Sequence, residues 1–281
     1  MAPEMWTLLK VLKWTQGRFA ERGITTARLD AEVLLAHLLK RDRVGLYTHF
    51  DQPMAAEELA TFRALIKRRL AGESVAYLVG KKEFRSLELE VNAAVLVPRP
   101  DTEIAVEVAL RLAAAVAAPT FCDIGTGSGA IALALKSARP ESALTAVDLS
   151  PAALVVARAN AARLALEVEF LEGDLLAPVA GRRFDVLVSN PPYIPTGELA
   201  GLPAEVRAEP RLALDGGDDG LALLRRLIAG APAIAAALVV EHGDGQSASV
   251  QALFTAAGFV EVDAARDLAG TERVVSGRYI P

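Results

Sequence analysis

The chain has 281 residues, 52% of them hydrophobic, 23% charged and 5% aromatic. That share of apolar residues excludes a disordered chain, and the single cysteine, Cys122, excludes an internal disulfide and fits a reducing compartment. The net charge of −5 is uneven: residues 1–80 hold 12 Lys and Arg against 9 Asp and Glu, and residues 81–281 hold 18 against 26, a balance that argues against nucleic acid as partner.

The longest apolar run, residues 227–240, is 14 residues long, short of the roughly 20 that a spanning helix needs. Glu4 stands where a secretory signal would carry positive charge, and no long apolar run follows. The expectation is a soluble, cytoplasmic, monomeric protein without a membrane partner.

The first 80 residues read as helices. Met5, Leu8, Leu9 and Leu12 follow the spacing of one amphipathic face. Thr26 is placed to cap a second helix with Leu34, Leu35 and Leu38 on its core face. Asp51 and Pro53 open a third, with Glu57 and Glu58 near its positive end, a stripe of Leu59, Phe62, Ile66 and Leu70, and Gly72 as the stop. After Gly80 the pattern changes. Leu87, Leu89 and Val91 alternate with Glu88 and Glu90, and Val95, Leu96 and Val97 follow Asn92, which reads as a hairpin. Asp101 or Thr102 then caps a helix running to about Val116.

From there strands and helices alternate. Residues 120–124, 143–147, 168–171, 184–189 and 236–241 are strand candidates, with helical segments between the first four and ahead of the fifth. Repeated βα units imply a parallel sheet covered on both faces. Residues 259–262 and 273–276 close the chain as two more strands with no obvious helix between them, hence an antiparallel edge. The domain expectation is a helical part, 1–80, a hairpin linker, 81–97, and an α/β domain, 98–281.

Two constellations carry chemistry. Asp123-Ile124-Gly125-Thr126-Gly127-Ser128-Gly129-Ala130 follows a strand and opens a helix. Glycines there let the backbone turn tightly and approach a ligand, and Asp148, which ends the next strand, can accept hydrogen bonds from ribose hydroxyls. A nucleoside cofactor is the reading, although such a loop also fits a dinucleotide. In the second, the buried strand 184–189 runs straight into Asn190-Pro191-Pro192-Tyr193. Ligands of open α/β sheets bind at the carboxyl ends of strands, so both motifs face one crevice. The prolines fix φ and carry no amide hydrogen. The Asn190 side-chain oxygen and the Pro191 carbonyl can then both accept from one NH2 group, and Tyr193 offers a flat face. His37, His49 and His242 form no ligand cluster with Cys122, so no metal site is expected.

This arrangement resembles the S-adenosylmethionine-dependent methyltransferases that act on planar, conjugated nitrogen. Glu73-Ser74-Val75-Ala76-Tyr77-Leu78-Val79-Gly80, Phe84 and Val97-Pro98-Arg99-Pro100-Asp101-Thr102-Glu103 resemble the lead-in of the peptide chain release factor glutamine methyltransferases. Glu209-Pro210-Arg211, Gly216-Gly217, Gly220-Leu221 and Glu241, Gly243 and Gln246 are similar as well. Before residue 73 only Arg28-Leu29-Asp30-Ala31-Glu32 stands out. The resemblance implies a Rossmann-like, seven-stranded class I methyltransferase domain, mostly parallel with an antiparallel edge, preceded by a small all-α bundle and a hairpin.

It also implies roles. Gly125, Thr126, Gly127, Ser128 and Gly129 would line the methionine end of the cofactor, Asp148 its ribose, and Asp174 its adenine amino group, with Leu175 over the ring where family members often carry an aromatic residue. Asn190 and Pro191 would clamp a glutamine amide, with Pro192 fixing the turn and Tyr193 packed beside it. Asn190 would also border the cofactor. The implied reaction moves a methyl group from S-adenosylmethionine, leaving S-adenosylhomocysteine, to the glutamine N5 of the Gly-Gly-Gln motif in class I release factors. The closest rival is adenine-N6 methylation of DNA or RNA, which needs a basic face to grip phosphates. A binding module would not need both motifs, and an NAD-dependent oxidoreductase leaves 190–193 unexplained.

Overall fold

The structure is a computed structural model and describes residues 5–280; Glu4 lies outside them. The chain divides into two compact units, one of residues up to 80 together with 204–208, the other of 81–203 and 209 onward.

The first unit contains α1 (Leu8–Glu21), α2 (Ala27–Leu39), α3 (Arg43–Thr48), α4 (Ala56–Leu70), α5 (Val75–Val79) and, from later in the chain, α9 (Ala204–Arg207). Leu8, Leu12, Phe19, Leu34, Leu35, Leu46, Phe62 and Ile66 form its core. Met5 is exposed and precedes α1, which Thr7 caps by accepting from the Lys10 amide at 3.4 Å. Thr26 occupies the cap position of α2 but its side chain makes no capping bond. The helix expected from Asp51 and Pro53 begins only at Ala56, because Glu58 reaches back to the Ala55 amide at 2.8 Å and fixes the start there. Helices α3 and α5 are too short to show a periodic face, and sequence reasoning passes over both.

Asp30 and Glu32 hold this unit together. Arg69 Nε donates to Asp30 Oδ2 at 2.7 Å in a buried pair, and Arg69 also meets Glu205 on α9. Glu32 accepts from Arg28 Nε at 2.7 Å, Arg43 Nε at 2.8 Å and the Tyr47 hydroxyl. Burial pushes the Glu32 carboxyl up, but these three donors outweigh it and hold it at about 2.

The second unit opens with a hairpin, β1 (Lys81–Phe84) against β2 (Leu87–Glu90). Its turn is Arg85-Ser86, both at positive φ (45° and 61°), as a two-residue hairpin turn requires. The expected second arm, residues 95–97, is not a strand; Val95 and Val97 are buried instead. A 3-10 turn at Pro100–Thr102 leads into α6 (Glu103–Leu112), which stops short of Val116.

Among the described residues seven strands form the main sheet: β3 (Thr120–Ile124), β4 (Ala143–Asp148), β5 (Glu169–Glu172), β6 (Phe184–Ser189), β7 (Ala235–Glu241), β8 (Val260–Arg266) and β9 (Glu272–Arg278). Their order is β5-β4-β3-β6-β7-β9-β8, parallel from β5 to β7 and antiparallel across β7, β9 and β8. Helices α7 (Ala130–Ala138), α8 (Pro151–Leu164), α10 (Ala222–Gly230) and α11 (Ser247–Ala256) connect them. Between β5 and β6 the expected helix is replaced by a 3-10 turn, Ala177–Val179, in a stretch punctuated by Gly173, Pro178 and Gly181. Each central strand is apolar on both faces: in β6, Val186 and Val188 pack with α6 and α7, and Leu187 with α10 and α11. Among the described residues no helix is long and apolar enough to cross a membrane.

Candidate active site

The carboxyl ends of β3, β4 and β6 open into a cavity of about 570 Å³. Gly125–Ser128, Asp148, Asp174, Leu175 and Asn190–Pro192 line it, so the second unit brings nearly all the expected site residues together, while Gly129 lies outside the lining and caps the start of α7. Tyr193 stands behind the wall, its ring packed on the sheet and its hydroxyl donating to Glu241 Oε1 at 3.1 Å.

The glycine loop is built by its backbone. Gly125, Gly127 and Gly129 all have positive φ (75°, 56° and 85°), a region where a side chain would be strained. The Gly125 and Thr126 amides donate to the Val147 carbonyl, binding the loop to β4. Asp148 Oδ2 accepts from the Gly127 amide and Oδ1 from the Ser150 amide, both at 2.8 Å. Burial pushes the Asp148 carboxyl up, while those amides favour its charged form. Beneath the loop Asp123 is fully buried. Its Oδ2 accepts from Thr126 Oγ1 at 2.6 Å and the Ala132 amide at 3.2 Å; Oδ1 has no partner among the described residues. Burial pushes this carboxyl up to about 7. Buried Asn160 of α8 donates to the Ser128 and Glu90 carbonyls, each at 3.0 Å, and so ties the loop to the hairpin.

Asp174 is exposed and paired with Arg226 of α10, which also lines the cavity. Leu175, at φ 48°, packs against the apolar cluster on that side.

The Asn190–Tyr193 turn rests on a glycine-rich loop. A Cβ on Gly216 would come within 2.8 Å of the Pro192 carbonyl oxygen, and one on Gly220 within 2.2 Å of the Tyr193 carbonyl oxygen. The Gly216 amide donates to the Ile194 carbonyl, and Gln246 Nε2 to the Tyr193 carbonyl at 2.9 Å. Asn190 Nδ2 donates to Thr102 Oγ1 at 3.0 Å. Glu209 accepts from Arg99 at 2.6 Å and from the Val97 amide at 3.2 Å, holding the 97–99 segment at the rim. His242, directly after β7, is buried with Nδ1 against the Gly243 carbonyl and does not line the cavity.

Sequence reasoning gives Thr102 a capping role and gives Glu241, Asn160 and Gln246 no structural task. Polar residues closing an apolar strand or interrupting an apolar helix are the signal for such groups, since a buried polar side chain needs a partner.

A family model described as the PrmC N-terminal domain matches residues 10–80, and one described as the methyltransferase small domain matches residues 105–201. The chain is 47% identical to the release factor glutamine methyltransferase of Geobacter sulfurreducens over 98% of both chains. It is 44% identical to that of Moorella thermoacetica over 95% of this chain and 96% of the other, and 40% identical to that of Vibrio cholerae over 97% of both. The hMettl16 catalytic domain, solved with an RNA hairpin, superposes with a TM-score of 0.61 at 14% identity, over 82% of this chain and 95% of that one. A Pyrococcus furiosus methyltransferase gives 0.54 at 19%, over 69% and 90%. These two likenesses concern the fold. At 40–47% identity over nearly the whole of these relatives, the chain belongs to the release factor glutamine methyltransferase family.

Proposed function

We propose that the chain, as a monomer, transfers a methyl group from S-adenosylmethionine to the side-chain amide nitrogen of the glutamine in the Gly-Gly-Gln motif of class I release factors. The observation that carries this reading is the Asn190–Pro192 turn at the wall of a cavity whose other wall is the glycine loop.

The residues present fit the cofactor. A loop with three positive-φ glycines presents bare backbone, and Asp148 keeps lone pairs free beside its two amide bonds for a ribose diol. In this reading Gly125, Thr126, Gly127, Ser128 and Gly129 hold the methionine end, and Asn190 borders the transferable methyl. Asp174 meets the adenine amino group once it shares or leaves Arg226, and Leu175 covers the ring. The bound sulfonium supplies an activated methyl group.

The protein's own work is then positional. An amide nitrogen is a poor nucleophile because its lone pair is delocalised into the carbonyl. Asn190 Oδ1 and the Pro191 carbonyl accept its two hydrogens, aim the nitrogen and stabilise the positive charge that develops there. Pro192 fixes the turn, Tyr193 backs the pocket, and the spare proton leaves to water. The helical unit, residues 1–80, and the 81–97 segment serve in docking the release factor.

The test is Asn190→Ala. Turnover on a release factor should fall about 100-fold or more while the calorimetric Kd for S-adenosylhomocysteine stays within about threefold; near-normal turnover would sink the amide-pocket assignment. Adenine-N6 methylation is not favoured, because the relatives at 40–47% identity act, by their names, on release factor glutamine.

A further inference from the structure

We propose that Arg226 is a cofactor-binding residue whose guanidinium plane stacks on the face of the adenine ring that Leu175 leaves open. The proposal rests on the reading that the cavity holds S-adenosylmethionine with its ribose at Asp148. A purine presents two broad π faces to its site, and such faces gain most from another plane, an aromatic ring or a guanidinium. Among the described residues that line the cavity none is aromatic. Apart from the carboxylates, its planar side chains are Asn190, Arg99 and Arg226. Asn190 is held by Thr102 directly after β6, and Arg99 by Glu209 at the rim. Arg226 is the plane that stands where the base must lie.

The base is bonded directly to the ribose, so its place follows from what borders Asp148. The Gly173 amide donates to the Asp148 carbonyl at 3.0 Å, which lays residues 173–175 against the end of β4. A Cβ on Gly173 would stand 2.4 Å from Pro178 Cγ, so this turn is tightly closed, and Asp174 and Leu175 line the cavity from it. Helix α10 stands beside the turn. Its Leu223 and Arg226, one helical turn apart, also line the cavity, while Leu224, Leu227 and Ile228 are buried in the core. Arg226 Nη2 donates to Asp174 Oδ2. That bond holds a guanidinium whose side chain, 55% exposed, would otherwise sweep through solvent. It leaves Asp174 Oδ1 for the adenine amino group. One carboxylate thus meets the edge of the base and aims the group that covers its face.

The same contact has a rival use as a latch, in which Arg226 occupies Asp174 and shuts the base out. The two roles differ in sign. Removing a latch tightens cofactor binding, and removing a platform weakens it.

The experiment measures the calorimetric Kd for S-adenosylhomocysteine in the full chain carrying Arg226→Ala, Arg226→Lys or Arg226→Trp. Alanine should weaken binding about 5- to 30-fold. Lysine keeps the charge but has no plane, and should weaken binding at least about fivefold. Tryptophan keeps a plane and drops the charge; its Kd should stay within about threefold of the parent's. Its indole emission, read as the difference from a parent whose Trp6 and Trp14 lie in the helical unit, should be quenched when the ligand is added. Parental binding in Arg226→Ala or Arg226→Lys, or weak binding or unquenched emission in Arg226→Trp, would each overturn the platform. Tighter binding in Arg226→Ala would overturn it in favour of the latch. If Arg226→Trp does not fold, alanine and lysine decide. A parent that fails to bind S-adenosylhomocysteine would remove the cofactor reading, and this proposal with it. A parent that binds it yet labels no release factor would refute the substrate reading and leave the role of Arg226 standing.

Discussion

The α-carbon of Gly220 sits so close to the Tyr193 carbonyl that a Cβ would stand 2.2 Å from its oxygen, at a backbone φ of 75°. The two residues lie on different loops, and the approach seats the Asn190–Tyr193 turn. Gly220→Ala must therefore displace that turn, because neither backbone can give way cheaply. Turnover should fall about 100-fold, the effect of a shift of about 1 Å in a positioning site. Steady-state kinetics on a release factor, with S-adenosylhomocysteine binding as control, checks this; unchanged turnover would show that the glycine loop does not support the turn.

Asp148 separates cofactor binding from chemistry. Its carboxylate already accepts from the Gly127 and Ser150 amides, and a ribose would add further bonds to a charged acceptor. Such bonds contribute about 1.5–3 kcal/mol. Asp148→Ala should raise the S-adenosylmethionine Kd about 10-fold or more, and kcat at saturating cofactor should change far less. Calorimetry with S-adenosylhomocysteine gives the first quantity directly.

Asp123 makes stability fall as pH rises. Burial moves its carboxyl from 3.8 to about 7, so across that window the folded protein holds a proton that the unfolded chain has released. The contribution present at low pH is lost as pH climbs through the folded value. At 1.36 kcal/mol per pH unit the effect is up to about 4 kcal/mol. Glu241, moved from 4.5 to about 7 by burial, acts with the same sign. Asp123→Asn should flatten the decline of denaturant stability between pH 5 and pH 8. An equally steep decline in the variant would place the effect elsewhere.

The Asp30–Arg69 pair makes a prediction for the helical unit. Both side chains are buried, and Arg69 Nε lies 2.7 Å from Asp30 Oδ2. Removing one partner of a buried pair leaves an uncompensated charge and costs about 3 kcal/mol. Asp30→Ala should lower the stability of this unit by about that amount, read from protection of α2 and α4 amides in hydrogen exchange. A loss below about 1 kcal/mol would mean that Glu205 and the Glu73 carbonyl suffice for Arg69.

Legibility in the sequence follows physical lines. Strands β3 and β6 are readable to the residue, because buried parallel strands are apolar on both faces and end abruptly at polar or glycine-rich loops. Helices α3 and α5 are not, since five or six residues cannot display a helical period. The hairpin is misread because β1, Lys-Lys-Glu-Phe, carries one apolar residue, and its turn, Arg85-Ser86, holds positive φ without glycine or asparagine. The site divides in the same way. Its glycine loop and the Asn190–Tyr193 turn are contiguous motifs with chemistry in their composition. The support behind them joins residues 88 positions apart, as in Thr102 and Asn190, and only the folded chain brings those together.

The most direct measurement is transfer of tritium from S-adenosylmethionine to a purified class I release factor, with DNA present as a competing acceptor and a release factor carrying Gln→Ala in its Gly-Gly-Gln motif as control. The expected result is label in the intact factor, none in the Gln→Ala factor and none in DNA. Label in the Gln→Ala factor, or preferential label in DNA, would contradict glutamine N5 as the acceptor.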